Sequence, residues 1–416
     1  MKHPKLPFIL LLMAMSALPS GDGWSEGFHN GATGPCDGCH TDPPRLRGSD
    51  PSSTCLICHH APAGTLLPVG HYVGSDPRTL QLCSQLPPGG DFCWLKKDYR
   101  WSSSEEAIPA QSHLSLGERH GHNIVAADFG YAADSRFVTS PGGVYPAAAL
   151  SCISCHDPHG NYRRTSDGNI VNTGPAIVAS GSYPDSPSPD DGNSVGVYRL
   201  LGGKGYRPSR SAVEPFTADP PTAVAPSPYN RAETVTETRV AYGSGMSEWC
   251  ANCHAGIHSD NYPVTGMHPS GGAARLSAEI INNYNGYLMT GNITNSEGGS
   301  YSSLVPFEMG TRDYTVLKAA ADNKGVSTSG PQSGSNVMCL TCHRAHASGW
   351  DSMTRWNMDV DFLVYQGTFP GVDKGAPLLL AQGRTEAETR KSYYDRSADT
   401  FAAFQRSLCN KCHLKD

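Results

Sequence analysis

Apolar residues are spread thinly and irregularly along this 416-residue chain, and only one stretch of them is dense. Phe8 to Leu18 is a continuous apolar run behind Lys2, His3 and Lys5 and ahead of small and polar residues. A basic start, a short apolar run and a small-x-small site together read as a secretory signal peptide. Ser25-Glu26-Gly27 supplies such a site and makes residues 1–27 the leader, with a cut near Gly21 as the other position. The run is too short to span a bilayer, and no later apolar stretch approaches that length.

Helical periodicity is rare in the remaining chain, 28–416. Ile280, Ile281, Tyr284 and Leu288 share one face of a predicted helix over Ser277 to Met289, with Gly291 as the stop signal. Asp313 to Ala321 carries a weaker version of the same pattern. Ser397 to His413 carries the best: Ser397 can cap, and Phe401, Phe404 and Leu408 form a stripe. Residues 161–232 are rich in Ser, Pro, Gly and Asp and read as irregular loop within one domain. The predicted architecture is mostly loop, with a few short helices and minimal strand.

Composition sharpens the difficulty. Only 38 % of residues are hydrophobic, and the chain holds 45 glycines and 32 prolines. Such a chain struggles to build an ordinary core unless apolar mass comes from elsewhere. The formal net charge of −6 excludes a strongly basic nucleic-acid binder.

The cysteines supply the missing mass. Twelve of the 14 fall in six copies of Cys-x-x-Cys-His. These are Cys36-Asp-Gly-Cys39-His40, Cys55-Leu-Ile-Cys58-His59, Cys152-Ile-Ser-Cys155-His156, Cys250-Ala-Asn-Cys253-His254, Cys339-Leu-Thr-Cys342-His343 and Cys409-Asn-Lys-Cys412-His413. The word is the attachment signature of a c-type haem. Two thiols at this spacing reach the two vinyl groups on one side of a porphyrin, and the following histidine swings under the ring to meet iron. Six covalent haems wrapped by one elongated domain, 28–416, therefore account for the composition. In the oxidised state their propionates and irons bring the expected charge to roughly −12. Export agrees with this chemistry, because bacterial c-haem is attached outside the cytoplasmic membrane. The two cysteines left over, Cys83 and Cys93, flank a Pro-Pro-Gly-Gly turn and are expected to pair as a disulfide.

Each motif histidine (His40, His59, His156, His254, His343, His413) is the proximal ligand of its haem, which leaves the opposite face of iron open to a second residue. Eleven further histidines are present. His159 and His346 lie three residues after a motif histidine, and His258 lies four after. Each is too near to cap its own haem and well placed to cap a neighbour. His29, His71, His122 (with His120 as competitor) and His268 complete the distal candidates. His60 and His113 read as surface residues, and His3 leaves with the leader. No methionine stands out by position as an alternative ligand. Irons closed by two histidines suit low-potential electron transfer and exclude substrate. The absence of a Cys-x-x-Cys-Lys variant weighs against a multihaem reductase.

Five stretches carry a resemblance to a known family. Glu118-Arg-His-Gly-His-Asn-Ile-Val-Ala126, Ser154-Cys-His-Asp-Pro-His-Gly160, Arg239-Val-Ala-Tyr-Gly-Ser-Gly-Met-Ser-Glu-Trp-Cys-Ala-Asn-Cys-His254, Cys342-His-Arg-Ala-His-Ala-Ser-Gly349 and Leu408-Cys-Asn-Lys-Cys-His413 closely resemble the OmcS-type outer-surface hexahaem cytochromes. The similarity spans essentially the whole mature chain and is weakest at 41–54, 60–90 and 360–400. It implies a continuous row of six bis-histidine haems, stacked pairs alternating with T-shaped contacts, and head-to-tail assembly into a conductive extracellular filament. It also implies other multihaem cytochromes and insoluble electron acceptors, such as metal oxides or electrodes, as partners.

One position departs from that pattern. In the family, a histidine three residues after the first motif histidine ligates the fifth-motif haem of a neighbouring subunit. Pro43 stands there in this chain and cannot ligate iron. Another histidine across the interface (His60 is nearest), a histidine of the same chain, or a five-coordinate iron would follow. The first two outcomes keep a wire; a soluble shuttle between partners is the main alternative.

Overall fold

The computed structural model describes residues 29, 36–42, 45–65, 67, 71–80, 82–103, 111–208, 213–226, 240–258, 267–285, 305–321, 330–396, 398 and 409–413. The leader and Phe28 lie outside these residues, as do Pro43 and 399–408.

Helices are short, and local signals set most of their bounds. In α1 (Pro51–His59) Asp50 accepts a hydrogen bond from the Ser53 amide at 2.7 Å, and Pro51 fills the first turn, where its missing N–H costs nothing. The others are α2 (Pro77–Leu80), α3 (Met246–His254), α4 (Ala278–Asn285), α5 (Tyr314–Ala321), α6 (Cys339–Cys342), α7 (Leu378–Ala381), α8 (Glu386–Ser392) and α9 (Cys409–Cys412). In α8, Thr385 and Glu388 form a reciprocal capping box. The periodic stretches at 277–289 and 313–321 contain α4 and α5, each starting one residue later than expected; 286–289 lie outside the described residues. Of the helix expected over Ser397 to His413, α9 is the described helical part, and its stripe of Phe401, Phe404 and Leu408 lies outside the described residues.

Strands are two to five residues long and make four small sheets. β1 (His40–Asp42) pairs with β2 (Arg45–Leu46), β3 (Tyr99–Ser103) with β4 (Gln111–Ser115), and β9 (Thr222–Val224) with β10 (Ala241–Ser244). The remaining sheet has the order β6-β5-β8-β7, from β5 (Arg163–Arg164), β6 (Ile170–Val171), β7 (Ala176–Ile177) and β8 (Asn193–Gly196). It lies inside the stretch read as irregular loop. Three of its four strands have only two residues, below the four or more that an alternation test needs to register.

Buried apolar side chains form several small clusters rather than one core. Tyr284, Trp350, Trp356, Phe369 and Tyr393 pack against Cys342 and Cys412. A second cluster, with Tyr198, Tyr242, Met246 and Met338, backs Cys155 and Cys250. A third, with Leu56, Phe92 and Tyr131, backs Cys152. These three clusters end at motif cysteines, so the packing helps hold those motifs in place.

Between these clusters, the buried Arg384 guanidinium lies 4.0 Å from the Tyr99 ring centre and 4.4 Å from that of Trp350. It also donates to the Gly349 carbonyl at 2.6 Å, which satisfies part of its charge by hydrogen bonding. No helix among the described residues is long and apolar enough to cross a membrane.

Candidate haem sites

None of the twelve motif cysteines is tied up in a disulfide, and none is fully buried. Motifs two and four form the C-terminal ends of α1 and α3, motifs five and six are α6 and α9, and motifs one and three are single 3-10 turns. One helical turn is the local reason for the spacing, since residues i and i+3 share a face.

The six motifs follow one another in space in sequence order. Burial, and then the neighbouring Cys58, raise the Cys39 thiol. The Cys55 and Cys152 sulfurs neighbour each other. Burial pushes the Cys155 thiol up to about 12, with Cys253 the next cause. The Cys250 and Cys339 sulfurs neighbour each other. Cys342 is likewise pushed up to about 12 by burial and then by Cys409. Contacts thus alternate between second cysteines (39 to 58, 155 to 253) and first cysteines (55 to 152, 250 to 339).

Histidine rings face one another at a recurring distance. Ring centres are 6.0 Å apart for His122 and His254, 6.5 Å for His156 and His346, 6.3 Å for His268 and His413, and 6.1 Å for His29 and His59. A metal–imidazole bond of about 2.0 Å on each side, plus about 1.1 Å from nitrogen to ring centre, separates two ligating rings by roughly 6.2 Å. The side chains therefore fit an iron between them.

The second ring nitrogen is accounted for in most of these rings. Nδ1 donates to a backbone carbonyl in His156 (Arg199, 2.8 Å), His254 (Pro141, 2.8 Å), His343 (Ser352, 2.8 Å), His122 (Ala345, 2.7 Å) and His268 (Pro269, 2.9 Å). Such a bond fixes the ring and leaves Nε2 for a metal. Burial, and then the facing His254, pull His122 down to about 4, and burial with His156 pulls His346 down to about 3. Both stay neutral at physiological pH, the form that ligates.

His122 owes its place to Gly121. A Cβ there would lie 2.3 Å from the His346 carbonyl oxygen, so only glycine lets the strip 120–122 lie along 346–348. The His122 amide then donates to the His346 carbonyl at 2.9 Å, and the Ser348 amide to that of His120 at 2.9 Å. His120, the competitor, is fully buried with Nδ1 on the Trp94 carbonyl and Nε2 on Ser115 Oγ. Both of its nitrogens are engaged, so it is not placed to ligate.

A structural duplication links motifs two and three to motifs four and five. α1 and α3 are both nine residues long and carry serine at their second position. Ser52 Oγ accepts from the Cys152 amide at 3.1 Å, and Ser247 Oγ from the Cys339 amide at 3.0 Å. Ser154 and Thr341, each just before the second cysteine, accept from the amides of Ser151 and Met338. The carbonyls that orient His156 and His343 belong to Arg199 and Ser352, and both of these residues have positive φ, at 48° and 56°. Leu200 and Met353 then accept from the amides of Asp157 and Arg344. No feature of the sequence reading anticipated this repeat; the shared Ser-x-x-Cys and the hydroxyl before the second cysteine were its signal.

Other candidates are placed less completely. His71 also lies 6.1 Å from His59, at 78°, but its carbonyl accepts from His59 Nδ1, which puts it on the wrong edge of that ring. Among the described residues no imidazole stacks on or faces His40, His159, His258 or His343 at this distance. His258 Nε2 and His40 Nδ1 are buried without a hydrogen-bond partner. His258 stands beside Gly271, next to Ser270, whose hydroxyl is 3.9 Å from Cys339 Sγ. His60 packs on Phe129 with Nδ1 on the Ala61 carbonyl, and His113 stacks on Trp101. Cys83 and Cys93 are joined in a buried disulfide with Cα atoms 5.5 Å apart. Asp91 lies against them, but the bonded thiols leave no metal-binding set.

No family model matches the chain. It is 45 % identical over 435 residues to the C-type cytochrome OmcS of Geobacter sulfurreducens, covering 98 % of this chain and 99 % of the relative. Two solved structures are similar. One, from cryo-EM of the OmcS nanowires of that organism, has a TM-score of 0.85 and 45 % identity. The other, an outer membrane cytochrome S filament from the same species, has a TM-score of 0.84 and 46 % identity. Both cover 94 % of this chain and 100 % of the solved chain. With that identity over nearly all of both sequences, and with six attachment motifs, the chain belongs to the OmcS family of c-type cytochromes.

Proposed function

We propose that this chain carries six covalent haems in one row and works as an extracellular electron-transfer protein, a subunit of a cytochrome filament. The observation that carries the reading is the order of the motifs: each motif's cysteines are electrostatic neighbours of those of the next, from Cys39 and Cys58 through to Cys342 and Cys409. Bound haem supplies a reversible one-electron couple at each site. The chain's own residues hold each site by two thioether cysteines, close it with imidazole and pack apolar clusters round it. The nanowire and filament relatives support self-association, taken here as head to tail. Export to the cell surface, other multihaem cytochromes and insoluble acceptors complete the proposed setting.

For the axial pairs, His122 with His254, His346 with His156, and His268 with His413 follow from their ring distances. For His59, the partner is His29, because its Nδ1 edge is taken by the His71 carbonyl. The duplication extends the scheme. His346, three residues after the fifth motif histidine, faces the third motif. By the same placement His159, three after the third, serves His40 of the first.

The fifth site is the exception. The next residue in that series would stand at Pro43, so the ligand opposite His343 comes from elsewhere. His258, with its buried and unpartnered Nε2 near Cys339, is the candidate in the same chain. This single departure is what favours the second reading, a cytochrome that shuttles electrons without polymerising.

Intact mass and a pyridine haemochrome assay of the exported protein test the haem count, with six per chain expected. Negative-stain microscopy of the same sample separates the two readings. Filaments support the first, and a persistent monomer with six haems leaves only the shuttle.

A further inference from the structure

The duplicated pairs share one device that no haem-attachment signature requires. Ser52 and Ser247 sit three residues before the first cysteine of motifs two and four, at the start of α1 and α3. Both are completely buried. Neither spends its hydroxyl oxygen on a helix cap. Ser52 Oγ reaches the backbone amide of Cys152, a hundred residues away, and Ser247 Oγ that of Cys339, 92 residues away. In both cases the bonded amide belongs to the first cysteine of the next motif. In both, that cysteine's sulfur neighbours the sulfur of the first cysteine of the serine's own helix.

We infer that Ser52 and Ser247 are positioning residues that set the separation of successive haem sites, at the second-to-third and fourth-to-fifth junctions. This rests on the haem-bearing reading above. The physical case is short. An attachment turn is anchored to its own haem by two thioethers, but its distance from the preceding motif depends on contacts between segments distant in sequence. The amide of Cys152 or Cys339 begins its turn and has no intrahelical acceptor. The serine supplies one, and a buried amide held this way costs free energy if the acceptor is removed. The bond therefore ties the start of one attachment turn to the helix that carries the previous one. The remaining three junctions, which run through second cysteines or α9, have no serine in this role among the described residues.

The test uses the full chain, exported and haem-loaded, with intact mass confirming six haems in the parent first. If the parent carries fewer, the haem-bearing reading fails before any variant is made. Ser247→Ala is then compared with Ser247→Thr, which keeps the hydroxyl. In Ser247→Ala the haem count stays at six, and the bisignate Soret circular dichroism of neighbouring haems loses amplitude. Deuterium exchange at the Cys339 amide speeds up about fivefold, while that at Cys152 is unchanged. Ser247→Thr restores both signals, and Ser52→Ala gives the reciprocal pattern.

An unchanged Soret couplet in Ser247→Ala overturns the inference, as does a Thr variant that behaves like the Ala variant. Should the alanine variants fail to load haem, exchange in the parent still decides. Slow exchange at both Cys152 and Cys339 supports the role, and free exchange at either refutes it.

Discussion

His122 and His254 lie 132 positions apart in sequence, yet their rings face each other at 6.0 Å with planes 30° apart. The fourth motif fixes one ring and the segment after the fifth motif fixes the other, through the Ala345 and His346 carbonyls. The ring opposite the fourth motif is thus held in place by the segment after the fifth. His122→Ala keeps all six covalent attachments and opens one iron. The reduced variant is expected to bind one more carbon monoxide per chain than the parent, read from a Soret difference titration. An unchanged stoichiometry would show that His122 is not a ligand.

The disulfide acts on a site as well as on stability. Cys83 and Cys93 close the turn whose Gly89 carbonyl accepts from the His346 amide at 2.6 Å, and whose Gly90 carbonyl accepts from His346 Nδ1 at 3.2 Å. Cross-linking a loop this short is worth about 2–3 kcal/mol through the unfolded chain. The double change Cys83→Ser with Cys93→Ser lowers the melting temperature by several degrees. It also loosens His346, so electron paramagnetic resonance of the ferric variant shows the signal of the third site broadened while the others keep theirs.

Glu308 gives stability a pH dependence. Its carboxyl is fully buried, and burial raises it from 4.5 to about 7; its bond from the Met246 amide opposes the rise and nearby Glu248 adds to it. The folded chain therefore holds a proton that the unfolded chain releases. Stability falls as pH climbs from about 4.5 to about 7 and is flat above that, a loss of roughly 3 kcal/mol at most from this group. Glu308→Gln keeps an acceptor for the Met246 amide and carries no charge. It is expected to match the parent at pH 5 and to melt higher at pH 8. Parallel melting curves for the two proteins would contradict this.

Much of the site was legible from residue spacing, because covalent attachment needs a fixed local word. The six motifs, and His346 three residues past a motif histidine, could be read directly. The pairing of His122 with His254 could not, since it depends on Gly121 admitting a strip of chain against residues more than 200 positions later. The four-stranded sheet in 163–196 escaped for a different reason: three of its four strands are too short to show a period. The serines were hidden by their ordinariness. Ser52 reads as a helix-start residue, and only the partner amide on another motif reveals its second use.

The central claim is that six haems run through the chain in one unbroken row, in the order of their motifs. Cryo-electron microscopy of the exported cytochrome, at a resolution that places each iron, tests it most directly. Six irons per chain are predicted in sequence order, with His29 and His59, His346 and His156, His122 and His254, and His268 and His413 on opposite faces of their irons. Fewer than six irons, or a row interrupted between any two successive motifs, would contradict the account.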